Sequence, residues 1–518
     1  NAHPHLSGRA AIVHNGIIEN FQSLRRDMEG KGRVFESDTD SETIAQLLGY
    51  HMDEGLSAVD AFEKTLSRLT GAFAIAAVFA EEDGLLLGAR KGSPLVLGYG
   101  EDEMYLGSDA IALAPLTRDV TYLEEGDWVV AYPDRAEIRD PDGRLVNRPR
   151  QKSRVEAALI ERGEYEHFMM KEIDEQPNSL ARSITPYINE ARNTVEIGPE
   201  AEALFTDADR AVAVSCGTAY YAAATAKYWF EDIARLSLEV DIASEFRYRN
   251  PVLPVNGPAL FVSQSGETAD TLAALRYCLA RKTPSMAIVN VPESSIAREA
   301  SALLPTRAGP EIGVASTKAF TAQLAVLALT AIAAGKSRGQ IDRAQEEEYV
   351  RELLSASRLV AETLRQTDNI RAAAHGLSDA RDVLYLGRGP YQVLAMEGAL
   401  KLKEITYIHA EGYAAGELKH GPIALIQDNV PVVVVAPRDQ LFGKTLSNME
   451  EVQARGAKVI LISDAPGIDA AGSRADYCIE IPQSGKLLTP ILAAIPLQLL
   501  AYHTAVIKGT DVDQPRNL

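Results

Sequence analysis

The chain has 518 residues, of which 46% are hydrophobic, and a formal net charge of −20. This is the composition of a globular protein with about three domains. Acidic residues outnumber basic ones by 72 to 52, which excludes nucleic acid and anionic membrane surfaces as partners. The three cysteines, Cys216, Cys278 and Cys478, lie far apart without a CxxC pair or a histidine cluster. This excludes a disulfide framework and a structural zinc site, and indicates a cytoplasmic protein.

The most apolar stretches, 322–334 and 491–505, are interrupted by polar residues or proline and are shorter than a membrane span. We therefore expect them to be buried helices of a protein outside the membrane. The chain opens at Asn1 without an initiator Met, a basic region or a signal peptide. We expect the sequence to begin inside a longer protein.

Residues 1–150 alternate short apolar runs with turn residues, which predicts an α+β domain with antiparallel sheet. The predicted strands include 10–13, 72–78, 85–88, 95–97, 104–106 and 128–131. Two helices are predicted at 41–52 and 58–67. Residues 151–177 are polar, without a clear strand, and are predicted to be a linker that leads into a helix.

Beyond the linker, β-branched strands alternate with long helices, and this pattern occurs twice. The first copy, 178–370, has predicted strands at 211–215, 259–263, 285–290 and 302–305. The second copy, 371–508, has them at 383–386, 430–436, 458–463 and 477–481, and 509–518 form a tail. Corresponding positions are separated by 170, 171 and 172 residues, in the pairs Gly217 and Gly387, Phe261 and Val432, Ile288 and Ile460. This spacing predicts two copies of one parallel α/β unit.

The segment Ser263-Gln264-Ser265-Gly266-Glu267-Thr268 follows a predicted strand and enters a helix at Ala269. Hydroxyls and free backbone N–H groups at a helix N-terminus bind phosphate, whereas an ordinary N-cap needs one hydroxyl. Similar turns occur at 215–218 and 315–318, and such turns converge at the carboxyl ends of parallel strands. The sequence therefore predicts a site for a phosphorylated small molecule. It has neither GxGxxG nor a Walker lysine loop, which disfavours nicotinamide and nucleoside triphosphate chemistry.

Lys401 and Glu404 are three residues apart on a helix predicted to begin near Tyr391, so they share one helix face. A surface ion pair is the ordinary meaning of this spacing, but the apolar flanks leave little exposed face. The next segment, 409–422, is predicted to be a glycine-rich loop, and it contains His420. A carboxylate beside a lysine, with a histidine nearby, suits proton abstraction α to a carbonyl.

Six motifs together resemble the isomerising glutamine–fructose-6-phosphate aminotransferase family: HNGIIEN at 14–20, SCGT at 215–218, SQSGETADT at 263–271, EIGVASTKAF at 311–320, EGALKLKEITYIHAEGYAAGELKHGP at 397–422 and KGTDVDQPRNL at 508–518. The resemblance spans essentially the whole chain. It implies an α+β N-terminal-nucleophile (Ntn) glutaminase domain followed by two α/β sugar-isomerase (SIS) domains with parallel sheets. The implied reaction transfers the glutamine amide nitrogen to fructose 6-phosphate and isomerises the sugar to glucosamine 6-phosphate, for amino-sugar synthesis. The family uses no metal and no organic cofactor.

For the glutaminase domain, the resemblance implies that Asn15 and Gly16 form the oxyanion hole. Asp40 matches the carboxylate that holds the glutamine α-amino group, and His3 and His14 match residues near that site. The nucleophilic cysteine of the family would lie upstream of Asn1. A protein consisting only of these 518 residues is therefore expected to lack glutaminase activity.

For the isomerase domains, the resemblance implies a sugar-phosphate cradle that consists of Thr218, Ser263, Gln264, Ser265 and Thr268. A separate sugar contact is implied for Ser316. Ala219 departs from the family, since a serine commonly follows the Cys-Gly-Thr motif.

The resemblance also implies the acid–base groups of the isomerase. Glu404 matches the base that moves a proton between C1 and C2, and Lys401 matches its cationic partner. His420 matches the ring-opening acid–base group, donated by the second subunit of a homodimer. The Schiff-base lysine of the family would lie beyond Leu518.

Two alternatives remain open at this stage. SIS domains also occur in sugar-phosphate sensors, but sensing alone would not need Glu404, Lys401 and His420. A plain phosphosugar isomerase would not need the first 150 residues with Asn15 and Gly16.

Overall fold

The computed structural model describes residues 3–80, 82–153 and 161–517. The chain divides into two compact units, Asn1–Glu161 and Arg162–Leu518. Residues 154–160, which fall in the predicted linker, lie outside the described residues. The domain boundaries given above stay a prediction.

The N-terminal unit contains two antiparallel sheets, so the predicted α+β architecture is confirmed. One has the order β1–β2–β3–β4–β8–β9–β10 and the other β11–β7–β5–β6. The strands are β1 (His5–Ser7), β2 (Ala10–Ile18), β3 (Gly71–Phe79), β4 (Leu86–Lys91), β5 (Val96–Tyr99), β6 (Met104–Gly107), β7 (Asp119–Tyr122), β8 (Trp128–Tyr132), β9 (Arg135–Arg139), β10 (Leu145–Val146) and β11 (Gln151–Lys152). The helices are α1 (Phe21–Gly30), α2 (Asp40–Asp53), α3 (Ala58–Leu66) and α4 (Ala110–Leu113).

Helix α2 packs on β2 and carries a long buried face, and its N-terminus lies beside the end of that strand. Thr39 caps α2 by accepting a hydrogen bond from the Ser41 N–H at 3.3 Å. The short strand β11 pairs with β7 inside the segment predicted to have no strand. Its two exposed polar residues give no hydrophobic alternation from which a strand could be predicted.

The C-terminal unit contains two five-stranded parallel sheets of identical topology, with orders β15–β14–β16–β17–β18 and β20–β19–β21–β22–β23. The first consists of β14 (Ala211–Ser215), β15 (Leu238–Ile242), β16 (Ala259–Ser263), β17 (Ser285–Val289) and β18 (Ala302–Pro305). The second consists of β19 (Asp382–Gly387), β20 (His409–Ala414), β21 (Pro431–Val435), β22 (Lys458–Ser463) and β23 (Tyr477–Glu480). A two-stranded ribbon precedes them, β12 (Ile188–Asn189) and β13 (Thr194–Val195). The prediction of two copies of one parallel α/β unit is confirmed.

Strands β15 and β20 were not predicted, and the prediction of a loop over 409–422 is wrong. Residues His409–Ala414 form β20, and two 3₁₀ turns follow, Ala415–His420 and Pro422–Leu425. Both missed strands are the second of their repeat and lie at the sheet edge. Because an edge strand is only partly covered, its sequence keeps polar residues and lacks the continuous apolar run of a central strand.

The helices of the C-terminal unit cover both sheets. They are α5 (Phe168–Asp174), α6 (Gln176–Ile184), α7 (Pro199–Ala203), α8 (Gly217–Ile233), α9 (Ala243–Phe246), α10 (Ala269–Ala280), α11 (Ser295–Glu299), α12 (Lys318–Ser337), α13 (Arg343–Leu354), α14 (Ala356–Thr363), α15 (Thr367–Ser378), α16 (Pro390–Thr406), α17 (Phe442–Gln453), α18 (Ala465–Ala471) and α19 (Leu488–Lys508). Helices α12 and α19 are long and apolar enough to cross a membrane, but their most apolar windows are 100% and 89% buried. The two apolar stretches are therefore core helices, as predicted.

Helices α8, α12, α16 and α19 pack together and form a core that both repeats share. Gly398 permits the close approach of α16 and α19, because a Cβ atom there would lie 2.8 Å from the Leu497 Cδ2 atom. It would also lie 3.0 Å from the Tyr385 ring. This contact fixes the position of α16, which carries Lys401 and Glu404.

His51 on α2 provides a test of the core of the N-terminal unit. Burial lowers the pKa of this histidine to about 4, and the nearby Lys64 and Arg68 add to the effect. The unfolded chain therefore binds a proton between about pH 6.5 and pH 4 that the folded chain excludes, so stability falls as the pH falls through this window. The free energy of unfolding should fall between pH 7 and pH 4.5, and His51→Leu should make this fall smaller by about 2–3 kcal/mol. Urea titrations at the two pH values measure the difference.

Met52→Leu is the control, because it changes the neighbouring buried side chain of α2 without removing a titratable group and should leave the pH dependence unchanged. Equal acid sensitivity of the wild type and His51→Leu would contradict a buried neutral histidine.

Candidate active site

A cavity of about 240 Å³ lies at the carboxyl ends of the strands of the first repeat. All six residues predicted to bind the sugar phosphate line it, and so do Lys401 and Glu404 from α16 of the second repeat. The six are Thr218, Ser263, Gln264, Ser265, Thr268 and Ser316. Residues separated by almost 200 positions therefore meet in one site.

The Ser263–Thr268 turn is a compact hydrogen-bonded structure. Ser263 Oγ accepts a hydrogen bond from the Gly266 N–H at 3.0 Å and lies 3.0 Å from Thr268 Oγ1. Gly266 has φ +67°, and a Cβ atom there would lie 2.0 Å from Ser294 Oγ, so the turn requires glycine. The backbone is thereby fixed with two hydroxyls side by side at the cavity wall.

Three helix N-termini meet at this cavity. Helix α8 begins after Cys216, α10 after Thr268 and α12 after Thr317, and none of these three residues accepts a capping hydrogen bond with its own side chain. The alternative of an ordinary serine or threonine cap is therefore wrong at Thr268. At α12 the Glu311 carboxylate accepts the Ala319 N–H at 3.0 Å, so the free N–H groups that favour an anion are those of α8 and α10.

Lys401 is buried between two carboxylates of its own helix. Its Nζ lies 2.7 Å from Glu404 Oε2 and 3.6 Å from Glu397 Oε1, and the lysine side chain is 1% exposed. Thr218 Oγ1, from the first repeat, donates a hydrogen bond to Glu397 Oε1 at 3.1 Å. The alternative of a surface ion pair is wrong, because this is a buried charge cluster that joins the two repeats.

The electrostatics of the cluster follow from its burial. Burial raises the pKa of the Glu397 carboxyl to about 7, although the charge of Lys401 opposes the effect. Burial alone would lower the pKa of Lys401, but the carboxylates of Glu397 and Glu404 outweigh it and raise this pKa. Lys401 therefore stays protonated, and it stabilises negative charge on the more exposed Glu404.

Residues 311–317 form the wall of the cavity that contains Ser316. The Glu311 carboxylate accepts hydrogen bonds from Ser316 Oγ at 2.9 Å and from the Thr317 N–H at 2.8 Å. Glu172 of α5 accepts the Ile312 N–H at 2.5 Å. Two carboxylates therefore fix this wall: Glu311 belongs to the wall itself, and Glu172 lies on α5.

The C-terminal tail binds the same region. The Asp513 carboxylate accepts the Phe168 and Met169 N–H groups at 2.8 and 3.0 Å, and the Asp513 carbonyl accepts the Val314 N–H at 3.4 Å. The tail is thus fixed against both α5 and the cavity wall.

His420 does not line the cavity. It ends the Ala415–His420 turn and is exposed at the surface. The chain alone therefore brings Glu404 and Lys401 to the cradle and leaves His420 outside it.

In the second repeat, a cavity of about 540 Å³ lies at the corresponding strand ends. It is larger than the first, but its lining includes Pro437, Arg438, Asp439 and Asp464 where the first repeat has its hydroxyl turn. No hydroxyl turn follows β21 there, and three aspartates outnumber the cations Arg438 and Lys486 in the lining, so the smaller cavity fits a phosphate better.

In the N-terminal unit, Asn15 and Gly16 lie side by side at the exposed end of β2. Gly16 has φ +132°, and a Cβ atom there would lie 2.1 Å from the Ala72 carbonyl oxygen, so only glycine fits. Asp40, the first residue of α2, accepts the Ile18 N–H through Oδ2 at 2.7 Å. The structure therefore brings three of the predicted glutaminase residues to one end of β2.

Two predicted histidines lie nearby. His14 Nδ1 is 2.8 Å from Ser41 Oγ, and burial lowers the pKa of His14, with Asp40 opposing and His3 adding to the effect. His3 is exposed and packs edge-on against His5 at 5.3 Å.

The chain is similar to known proteins in both sequence and structure. The profile described as "SIS domain" matches residues 204–333 and 376–508, and that described as "Glutamine amidotransferase domain" matches 2–115. Glutamine–fructose-6-phosphate aminotransferases (isomerising) from Zymomonas mobilis and Brucella abortus are each 54% identical to this chain, over 100% of its length and 85% of theirs. The chain belongs to this aminotransferase family.

Solved structures agree with the family assignment. The C-terminal domain of the glucosamine-fructose-6-phosphate aminotransferase from Francisella tularensis is 44% identical, with a TM-score of 0.66, and covers 68% of this chain and 99% of its own. A tagatose-6-phosphate ketose/aldose isomerase from Escherichia coli, 19% identical with a TM-score of 0.56, covers 67% and 96% and shares the fold.

Val314 and Gln323 line the cavity and Glu397 binds Thr218 beside it, but no motif or spacing assigns these three residues a function. Glu397 lies one turn before Lys401, and this spacing was its only signal. Gln323 lies within the apolar sequence of α12, which predicts a buried core helix. That pattern does not indicate that one of its polar side chains lines a cavity.

The double variant Ser263→Ala, Thr268→Ala tests the cradle. Loss of two hydrogen bonds to a charged group should weaken fructose 6-phosphate binding by about 100-fold, or about 3 kcal/mol, in a calorimetric titration. Thr225→Ala provides a control, because this buried hydroxyl of α8 donates to the carbonyl of Tyr221 outside the cavity. Unchanged affinity in the double variant would remove the turn from the binding site.

Proposed function

We propose that the protein converts fructose 6-phosphate to glucosamine 6-phosphate with glutamine as nitrogen donor, the first step of amino-sugar synthesis. The observation that carries this function is the match of the whole chain to the isomerising aminotransferases at 54% identity. The protein is an aminotransferase with a glutamine amidotransferase domain and two SIS domains.

The sugar phosphate binds in the 240 Å³ cavity, with its phosphate at the Ser263–Thr268 turn. The uncapped N-termini of α8 and α10 support this orientation, because their free N–H groups and helix dipoles favour an anion there. Thr218 and Gln264 complete the cradle, and Ser316 contacts the sugar. Ala219 also lines the cavity and adds no hydrogen bond of its own.

Glu404 moves the proton between C1 and C2 of the sugar. Support comes from its position in the cavity wall and from its ion pair with Lys401, which orients the carboxylate at 2.7 Å. Lys401, buried and charged, also stabilises the negative charge that develops on the sugar oxygen during enolisation.

His420 opens the sugar ring from a second subunit. Its exposed position outside the cavity of its own chain supports this assignment, because a partner copy can supply it there. The protein is accordingly a homodimer of the cytoplasm, and its chemistry needs neither a metal nor an organic cofactor.

The N-terminal unit supplies the oxyanion hole and the α-amino contact for glutamine hydrolysis. The Asn15 amide and the Gly16 N–H stabilise the tetrahedral oxyanion, and Asp40 holds the α-amino group of glutamine, with His3 nearby. The adjacent positions of Asn15 and Gly16 on β2, with Asp40 bound to the same strand, support these roles.

A plain phosphosugar isomerase is disfavoured by the glutamine amidotransferase match over residues 2–115. A sugar-phosphate sensor is disfavoured by the burial of Lys401, because a buried charge is expensive and sensing does not need it.

The test compares the wild-type enzyme with its Glu404→Gln variant, both at the full length of the family relatives, of which this chain covers 85%. The wild type should form glucosamine 6-phosphate from glutamine and fructose 6-phosphate, and it should exchange the C1 proton of the sugar with deuterated solvent. Glu404→Gln keeps the shape and removes the base, so exchange should fall by roughly 10²–10⁴-fold while sugar binding persists.

Glu352→Gln is the matched control and should exchange at the normal rate, because Glu352 is likewise a half-buried carboxylate of the C-terminal unit but binds the Leu487 and Leu488 N–H groups outside the cavity. Exchange at the normal rate in Glu404→Gln would remove Glu404 from the mechanism. Absence of product from the wild type would overturn the proposed function.

A further inference from the structure

Gln323 is a buried polar side chain in the wall of the sugar-phosphate cavity. It lies on α12, five residues after the first residue of that helix, and is 2% exposed. It lines the same cavity as Ser263, Lys401 and Glu404. Its neighbours along α12 are apolar or small, as expected for a helix buried in the core.

One end of the Gln323 amide lacks a protein partner. Its Oε1 atom is buried and has no hydrogen-bond partner within the described part of the chain. Other buried glutamines of the unit are paired: Gln176 and Gln498 bind each other at 2.8 Å. A buried carbonyl without a partner costs about 1–3 kcal/mol, so a glutamine kept at such a position requires a reason.

The ammonium and hydroxyl groups around the cavity do not donate a hydrogen bond to Gln323 Oε1. The ammonium of Lys401 is directed at Glu404 and Glu397, and Ser316 Oγ donates to Glu311. Ser263 Oγ and Thr268 Oγ1 are hydrogen-bonded to each other. None of these described groups donates to the Gln323 oxygen, which leaves a hydroxyl of a ligand in the cavity as a donor for it.

We propose that Gln323 recognises the sugar part of the substrate, its amide oxygen accepting a hydrogen bond from a sugar hydroxyl. This inference rests on the proposed function, since it takes the ligand to be a sugar phosphate. It divides the cavity into two parts: the hydroxyl turn and helix N-termini bind the phosphate, and Gln323 distinguishes a polyol from a bare phosphate. A site that hydrogen-bonds a hydroxyl rejects ligands without it, because its buried polar group is then left unpaired.

The test is Gln323→Met, which keeps the length and approximate volume of the side chain and removes the amide. Calorimetric titrations of the full-length enzyme measure the affinities for fructose 6-phosphate and for inorganic phosphate. Fructose 6-phosphate should bind about tenfold or more weakly, whereas inorganic phosphate should bind as in the wild type. The Ser263→Ala, Thr268→Ala variant should weaken both ligands.

Thermal unfolding without ligand provides the second readout. A merely structural glutamine would stabilise the fold, so its loss would lower the melting temperature. An unpaired amide destabilises the fold, so Gln323→Met should melt at the same temperature as the wild type or higher. Gln46→Met is the matched control: Gln46 is paired with Ser7 and Val34 in the N-terminal unit, so its loss should lower the melting temperature of that unit and leave sugar binding unchanged.

An unchanged affinity of Gln323→Met for fructose 6-phosphate would overturn the inference, and so would an equal loss of both ligands. A wild type that binds neither ligand would instead overturn the proposed function.

Discussion

The positive charge of Lys401, buried between Glu397 and Glu404, is the constraint on which the rest of the site depends. A buried ammonium is tolerated only when carboxylates and hydrogen bonds surround it closely. Here Thr218 of the first repeat donates a hydrogen bond to Glu397. The cluster therefore fixes α16 against the start of α8, and it holds Glu404 of one repeat in the same cavity as the Ser263–Thr268 turn of the other. Gly398 makes this possible, because it lets α16 approach α19 closely enough to bury the cluster.

The two repeats share a topology but have diverged in chemistry. Where β16 ends in Ser263 and continues into hydroxyl residues, β21 ends in Val435 and continues through Ala436 and Pro437. The first repeat supplies the hydroxyl turn, which is the proposed phosphate site. The second repeat supplies α16 with Lys401 and Glu404. Two similar folds thus contribute different side chains to one cavity.

The sequence predicted the features that depend on local order. The Ser263–Thr268 turn could be found because its hydroxyls, its glycine and the helix start are consecutive residues, and Lys401 and Glu404 because helical spacing places them on one face. The edge strands β15 and β20 could not be predicted, since partial exposure removes the apolar run that identifies a central strand. Gln323 and Glu397 could not be assigned either, because their meaning depends on which groups the folded chain leaves unpaired or brings close. The position of His420 outside the cavity likewise follows from the fold and not from its motif.

The measurement that tests the account most directly is a crystal structure of the enzyme with fructose 6-phosphate bound. The account predicts the phosphate within hydrogen-bonding distance of Ser263 Oγ, Ser265 Oγ and Thr268 Oγ1. It also predicts C1 and C2 of the sugar about 3–4 Å from the Glu404 carboxylate. A phosphate bound instead at the strand ends of the second repeat, beside Pro437 and Asp439, would contradict the division of roles between the repeats.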